Sequence, residues 1–265
     1  MARPYFSIIV VAYNAEMFIK DTIDSVLKQK FQDYEIIVKD ACSKDKTLEN
    51  IPKDDRIRVY STKDKGIYDG MNEAIGYANG FYCTFLNCGD TFYDENVLTH
   101  MYDVSVQCDS SNTILYGNCY RGNVYVKQPS ELTSFYLYRT PLNHQSMFFG
   151  TEMFSILGNY NIDLKIAADY EYTVRAFKAD VNFVYCPETV CNYLGGGVSE
   201  SEKGNLIKKN DYAYVHEKYF TAGEKRKFKL LLFLSMKNLR QKIVSDKSPA
   251  WMKKMYQKFV NRVNK

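Results

Sequence analysis

Through residue 86 the chain alternates β-branched runs with stretches of helical spacing, and this rhythm constrains the fold more than any other feature. Residues 6–13 read as a strand and Glu16 to Lys28 as a helix, with Ile19, Ile23, Val26 and Leu27 on one face. A strand over 34–39 follows, then a helix opening near Ser43, whose hydroxyl can cap it. Residues 57–60 form a short third strand, 67–78 a helix carrying Met71, Ala74, Ile75 and Ala78, and 81–86 a fourth strand. Strands alternating with helices predict an α/β fold on a mostly parallel sheet with right-handed crossovers. Ligands of such sheets lie beyond the carboxyl ends of the strands. Three of these strands stop in polar clusters, Ala12-Tyr13-Asn14, Asp40, and Asn87-Cys88-Gly89-Asp90, which marks one edge as functional.

After Asp90 the rhythm changes. A helix at 95–106 precedes a hairpin of 113–118 and 123–127 turning at Arg121-Gly122-Asn123. A loop holding Pro141, Asn143, His144 and Gln145 leads to a helix at 166–178 and short strands at 182–186 and 189–193. Gly195-Gly196-Gly197, with Ser199 beyond it, reads as a hinge or a loop closing over a ligand, since three glycines add backbone freedom. Near the C-terminus Met252, Met255, Tyr256, Phe259, Val260 and Val263 fall at helical spacing with Lys253, Lys254, Lys258 and Arg262 on the other face.

Charge divides the chain. From Gly223 to Lys265 thirteen Lys or Arg face only Glu224 and Asp246, a balance of +11, so the net +4 leaves −7 on residues 1–222. The expectation is an acidic catalytic body, 1–222, with a basic helical extension, 223–265. The extension either meets an anionic lipid surface or packs on the body or on a second copy of the chain, a homodimer. The acidic body is no platform for nucleic acid. Phe6 to Ala12 is too short for a signal peptide, and Leu230 to Leu234 falls far below the roughly 20 residues of a membrane span. Seven cysteines without a CxxC pair, several in apolar runs, fit a reducing, cytoplasmic setting, at the inner face of the membrane if the tail binds lipid. The 23 tyrosines suit either a sugar-binding cleft or a large core.

Each candidate has a bland and a sharp reading. Asp40 can accept from a nucleobase imide or a ribose hydroxyl, or simply cap the turn that follows. Asn87 and Asp90 can offer oxygens to Mg²⁺ or Mn²⁺, which bind one or two carboxylates plus substrate phosphates, or they can close a turn. On the helix at 166–178, Asp169 and Glu171 lie about 200° apart. Glu171 has Arg175 four residues on and reads as a surface ion pair. Asp169 lacks such a partner and is the candidate general base. His144 and Gln145 can hold a diphosphate or an acceptor hydroxyl, or be structural; His100 and His216 read as structural. No Walker loop, no GxGxxG after the first strand and no Gly-x-Ser-x-Gly is present, which argues against NTPase, dinucleotide oxidoreductase and hydrolase chemistry.

Ser7-Ile-Ile-Val-Val-Ala-Tyr-Asn14, Ser25-Val-Leu-Lys-Gln29, Tyr34-Glu-Ile-Ile-Val-Lys-Asp40, Ser43-x-Asp45-x-Thr47 and Phe85-Leu-Asn-Cys-Gly-Asp90 resemble the family 2 inverting glycosyltransferases of GT-A fold. Asp64-Lys-Gly-Ile-Tyr-Asp-Gly-Met-Asn72 and His144-Gln145 are similar to the branch that builds bacterial exopolysaccharide, capsule or O-antigen. The resemblance covers roughly residues 5–200. It implies a Rossmann-like central sheet with flanking helices and the transfer of a sugar from a nucleotide donor, UDP-linked, to a glycan or lipid-linked hydroxyl. It implies nucleotide contacts at Ala12, Tyr13, Asn14, Asp40, Asp69 and Asn72, a divalent Mg²⁺ or Mn²⁺ at Asp90, the catalytic base at Asp169, and acceptor or diphosphate contacts at His144 and Gln145. Gly89 stands where a second metal-binding acid is common, and Ala168 where the family has Glu. The rivals are a catalytically idle scaffold with this fold and a nucleotidylyltransferase; the latter lacks its glycine-rich basic loop after strand one.

Overall fold

The computed structural model describes residues 3–195, 201–235 and scattered positions from 249 to 258. Its N-terminal half runs β1 (Phe6–Ala12), α1 (Ile19–Leu27), β2 (Tyr34–Asp40), β3 (Ile57–Ser61), α2 (Ile67–Ile75), β4 (Tyr82–Phe85), β5 (Thr91–Phe92) and α3 (Val97–Ser105). The rest continues with β6 (Thr113–Arg121), β7 (Val124–Val126), α4 (Ser134–Arg139), β8 (Met147–Gly150), α5 (Met153–Leu157), α6 (Ala168–Lys178), β9 (Asn182–Tyr193), α7 (Glu202–Tyr219) and α8 (Ala222–Ser235). One sheet takes the order β3-β2-β1-β4-β8-β6-β9-β5, with β7 hairpinned onto β6. Most laddered residues lie in parallel pairs, β1 with β2 and β4, β2 with β3, and β6 with β9. This is the α/β architecture with flanking helices that the alternation predicts.

The central strands are apolar on both faces because both faces are covered. Phe6, Ile8 and Val10 of β1 pack against Ile19, Ile23 and Val26 of α1 and Val97, Leu98 and Met101 of α3. Ile9 and Ile37 face the other way, toward Met71 and Ala74 of α2, Val174 of α6 and Val215 of α7. Strand β8 runs antiparallel to β4 and to β6. The carboxyl ends of β1, β2, β4, β6 and β9 therefore share an edge with the start of β8, and every polar strand end converges there.

Three local expectations change. The helix near Ser43 is absent: residues 41–43 are irregular and 44–50 are bends and turns, because their side chains bond across to the loop after β1 rather than along a helix. Thr47 Oγ1 accepts from Ala15 N at 2.7 Å, Asp45 Oδ2 from Glu16 N at 3.1 Å, and Asn50 Nδ2 donates to Glu16 O. The two strands expected over 182–193 are one strand, β9, whose register against β6 slips twice beyond Tyr116. Pro187, which has no N–H for the ladder, lies in the slipped stretch, where strand prolines are tolerated. Gly117 lets the bulge approach: a Cβ there would stand 2.6 Å from Val190 Cγ2 and 2.9 Å from Glu188 O. Helices α4 and α5 have no counterpart in the sequence reading. The turn at Arg121-Gly122-Asn123 is where it was expected, with Gly122 at φ 55°.

The extension from Gly223 starts within α8. Its Phe228 is buried against Phe135, Tyr138 and Phe220, and Glu224 pairs with Lys178 at 2.7 Å. The amphipathic pattern of Met252 to Val263 lies largely outside the described residues, as do Gly196, Gly197 and Ser199. No helix among the described residues is long and apolar enough to cross a membrane.

His216 of α7 stacks on Tyr138 at 4.2 Å and bonds the Tyr170 hydroxyl at 3.2 Å. Burial pushes its imidazole below the ordinary 6.5. The unfolded chain then binds more protons than the fold as pH drops, so this group's stability contribution is complete above 6.5 and is lost as pH falls through it. Denaturant unfolding at about pH 7.5 and 5.5 should show a smaller loss of stability on acidification in His216→Gln than in the wild type. Equal losses would contradict the assignment.

Candidate functional site

Parallel register sets Ala12 beside Asp40 at the ends of β1 and β2. Asp40 is wholly buried: Oδ2 accepts from Ser43 N at 3.0 Å and Ser61 Oγ at 2.7 Å, and Oδ1 takes the Ser43 hydroxyl. Ser43 Oγ also accepts from Asn14 N at 2.8 Å, and Asn14 Oδ1 accepts from Lys44 N at 3.0 Å. Asn14 sits at φ 48°, a left-handed conformation that Asn tolerates. Asp40 therefore braces the loop from beneath, with its carboxylate bonded to Ser43 and Ser61. Tyr13 on that loop is 64% exposed, a ring face open at the strand ends.

Beneath the same edge Lys39 is fully buried, with Nζ 2.7 Å from Thr62 O, 3.2 Å from Asp64 Oδ2 and 3.4 Å from Glu73 Oε2. A buried ammonium needs such partners, and they tie β2 to the 62–64 loop and to α2. Asp69 in the first turn of α2 accepts from Lys65 N at 2.8 Å. Asn72 spends both ends of its carboxamide on Tyr160, donating to its O and accepting from its N, each at 2.9 Å. It thereby fixes the 160 loop.

Asp90 follows β4. Gln145 Nε2 donates to its Oδ2 at 3.1 Å and Leu194 N to its Oδ1 at 3.0 Å. It is 3% exposed, and burial pushes its carboxyl up to about 6 despite those two bonds and nearby His144. Thr22 of α1 locks the turn, accepting from Gly89 N at 3.0 Å and donating to Asp90 O at 2.9 Å. Gly89 has φ 103°, and a Cβ on it would lie 3.2 Å from Leu194 Cδ2. The backbone thus favours glycine where a second acid was looked for. Cys88 lies between the two strand ends: burial raises its thiol to about 12, and the charges of Asp90 and Asp40 add to that.

Asp169 enters from the first turn of α6. His144 Nδ1 lies 2.8 Å from its Oδ2, and Tyr68 OH lies 2.9 Å from its Oδ1. A carboxylate only accepts, so Nδ1 carries a hydrogen toward it, while Nε2 lies 3.3 Å from Asn87 Nδ2. Burial works against the Asp169 charge, but His144 and the Tyr68 hydroxyl outweigh it and hold the carboxyl below the ordinary range. The backbone N–H groups of Ile166 and Ala167 at the head of α6 both donate to Asp211 Oδ2 of α7, at 2.9 and 3.2 Å. That carboxylate supplies the cap that Ala167 cannot.

Asp90 and Asp169 are thus joined through neighbouring residues, Gln145 on one and His144 on the other, while Asn87 touches His144 from the loop that holds Asp90. His144 and Gln145 hold the two acids in place. Among the described residues no three His, Cys, Asp or Glu side chains converge as a metal cage. Asn87 Oδ1, however, three residues before Asp90 in the chain, is buried without a hydrogen-bond partner. One carboxylate and one orphaned carbonyl oxygen fit a hard cation that takes its remaining oxygens from phosphate and water.

Glu171 differs from its expected surface role. It is 1% exposed, 2.9 Å from Arg175 Nη2 and 3.7 Å from Lys218 Nζ, and it accepts the Tyr219 hydroxyl. Of the residues the sequence reading passed over, Thr22 had a signal: its spacing from Ile19, Ile23 and Val26 puts a hydroxyl on the buried face of α1. Tyr68 lies within the Asp64–Asn72 stretch, where nothing local marks its hydroxyl. Asp211 and the Leu194 N–H carry no local signal, because long-range packing brings them in.

Known proteins resemble this chain in sequence and in fold. A PGL/p-HBAD biosynthesis glycosyltransferase of Mycobacterium tuberculosis is 27% identical over 183 residues, 67% of this chain and 71% of the relative. Chondroitin synthase of Escherichia coli is 25% identical over 241 residues, 84% of this chain but 34% of that longer protein. In fold, the chain resembles S. aureus TarS in complex with UDP, with a TM-score of 0.65 at 18% identity, covering 98% of this chain and 80% of that one. It also resembles the mannosyltransferase PcManGT from Pyrobaculum calidifontis in complex with GDP-Man and Mn²⁺, with a TM-score of 0.59 at 14% identity over 100% and 88%. Residues 7–158 match the family model for glycosyl transferase family 2, more than half of the chain, and the protein belongs to that family of transferases.

Proposed function

We propose that the protein moves a sugar from a nucleotide-diphosphate sugar, a UDP-sugar, to a hydroxyl of a glycan or lipid-linked acceptor, with inversion at the anomeric carbon. The observation that carries this reading is the single edge on which Asp90 and Asp169 are held by the adjacent Gln145 and His144. The nucleoside lies over the loop after β1, against the exposed Tyr13 ring and the Asn14 backbone that Ser43 and Asp40 shape. Asp69, in the first turn of α2, is the second nucleotide contact. The diphosphate lies toward Asn87 and Asp90.

Asp90 and Asn87 would hold a divalent cation, Mg²⁺ or Mn²⁺, which when bound offsets diphosphate charge and eases departure of the leaving group. Asp169 takes the proton of the acceptor hydroxyl. The freed oxygen pair forms the new bond to the anomeric carbon while the bond to the diphosphate oxygen breaks, its electrons leaving with the nucleotide. One displacement inverts the centre, through an oxocarbenium-like transition state. The low proton affinity of Asp169 suits a base that receives its proton late, as the new bond forms. The +11 segment from Gly223 to Lys265 suits an anionic lipid surface, where a lipid-linked surface-polysaccharide acceptor would be presented.

The test is a panel of UDP- and GDP-sugars with Mn²⁺, reading nucleotide release and product anomer by NMR. The expected result is release from a UDP-sugar and an α-linked donor giving a β-linked product. Retention of configuration, or no release from any donor, would contradict the reading.

A further inference from the structure

Helix α2 is tied on both sides. Asp64 and Glu73 bond the Lys39 ammonium next to Asp40, while Asn72 holds the Tyr160 backbone. From the first turn of this helix the Tyr68 ring is buried, 5.7 Å from the Tyr160 ring, and its hydroxyl ends between two acceptors: Asp169 Oδ1 at 2.9 Å and Ile166 O at 2.7 Å.

A phenol has one hydrogen to give. With Asp169 ionised, that hydrogen serves the carboxylate. With Asp169 protonated, it can turn to Ile166 O, and the phenol oxygen can accept from the new acid. The hydroxyl can thus follow a charge change on Asp169 with no buried group left unpaired, which would otherwise be costly. We propose that Tyr68 is a positioning residue for the transfer reaction, fixing the direction in which Asp169 presents its remaining lone pairs and keeping the acid paired before and after proton uptake.

This rests on Asp169 being the base. Burial, reinforced by the Asp169 charge, raises the Tyr68 phenol well above its usual value, so it stays a donor. The groups facing Asp169 are His144 from the turn before β8, Tyr68 from α2, Tyr160 from the loop before α6 and Tyr212 from α7. Of these only His144 and Tyr68 bond its carboxylate.

Tyr68→Phe removes one oxygen and leaves the ring in the core. In protein carrying ¹³C-labelled aspartate, the Asp169 carboxyl titration should move up relative to wild type, because a donor to the charged form is gone. This measurement needs no substrate, and an unmoved midpoint overturns the proposal. With the nucleotide sugar that turns over in the panel, kcat should fall about tenfold with donor KM within about twofold. A raised KM at unchanged kcat overturns it as well. Adding Tyr68→Phe to Asp169→Asn should slow turnover no further; independent multiplication of the two effects places Tyr68 elsewhere in the mechanism. Wild-type turnover in Asp169→Asn sinks the base reading itself, whereas an unmoved titration in Tyr68→Phe sinks only the present proposal.

Discussion

Asp169→Asn should lower sugar transfer by about 10²–10⁴-fold, the range a positioned general base contributes, while nucleotide binding persists. The substitution keeps the shape of the side chain and removes its ability to take a proton. It also brings an amide N–H₂ against one of two donors, Tyr68 OH or His144 Nδ1–H, so one of the bonds at 2.9 and 2.8 Å is lost. That loss falls on the acceptor side, away from the loop after β1 where the nucleoside is placed. Transfer assays beside UDP titrations check both halves. Retained turnover contradicts the role of base. Loss of UDP binding would instead make Asp169 part of the donor site.

Glu171→Ala should be the most damaging change to stability. Glu171 is 1% exposed and serves Arg175, Lys218 and the Tyr219 hydroxyl, joining α6 to the end of α7. Its removal takes the charged partner from a guanidinium that is only 19% exposed. Breaking a buried pair from one side costs about 3–5 kcal/mol, and in a chain of this size each kcal/mol lowers the melting temperature by about 2–4 °C. Arg175 keeps bonds to Leu157 O and Asn159 O, at 2.6 and 2.8 Å, which favours the lower end of that range. Urea unfolding of the variant checks the figure. A loss below about 1 kcal/mol would mean the pair behaves as the surface contact that its i, i+4 spacing suggests.

That contrast shows what the sequence could reveal. Spacing identified Glu171 and Arg175 as partners, but burial depends on α7, which arrives from residues 202–219 and carries no clear amphipathic stripe of its own. The parallel strands were legible because their apolar runs are continuous, and Asp40 and Asp90 stood out as charges ending those runs. What Asp40 does was not legible: its bonds go to Ser43 and Ser61, and only the fold shows that they bury it. The stretch from Ser43 misled because Ser, Asp and Thr signal a helix start and equally a side-chain-bonded loop. Asp169 stood out because it lacks the i, i+4 partner that Glu171 has, whereas Tyr68 and Asp211, which hold it and its helix, lie about 100 and 40 residues away and meet it only through packing.

The proposed role of the strand-end edge, to receive a nucleotide diphosphate with a cation at Asp90, is tested most directly by calorimetry. UDP titrated into the protein should give saturable heat in the presence of Mn²⁺ that weakens sharply when the cation is chelated or in Asp90→Ala. Absence of binding at millimolar UDP and GDP, or tight binding indifferent to both the cation and Asp90, would contradict it.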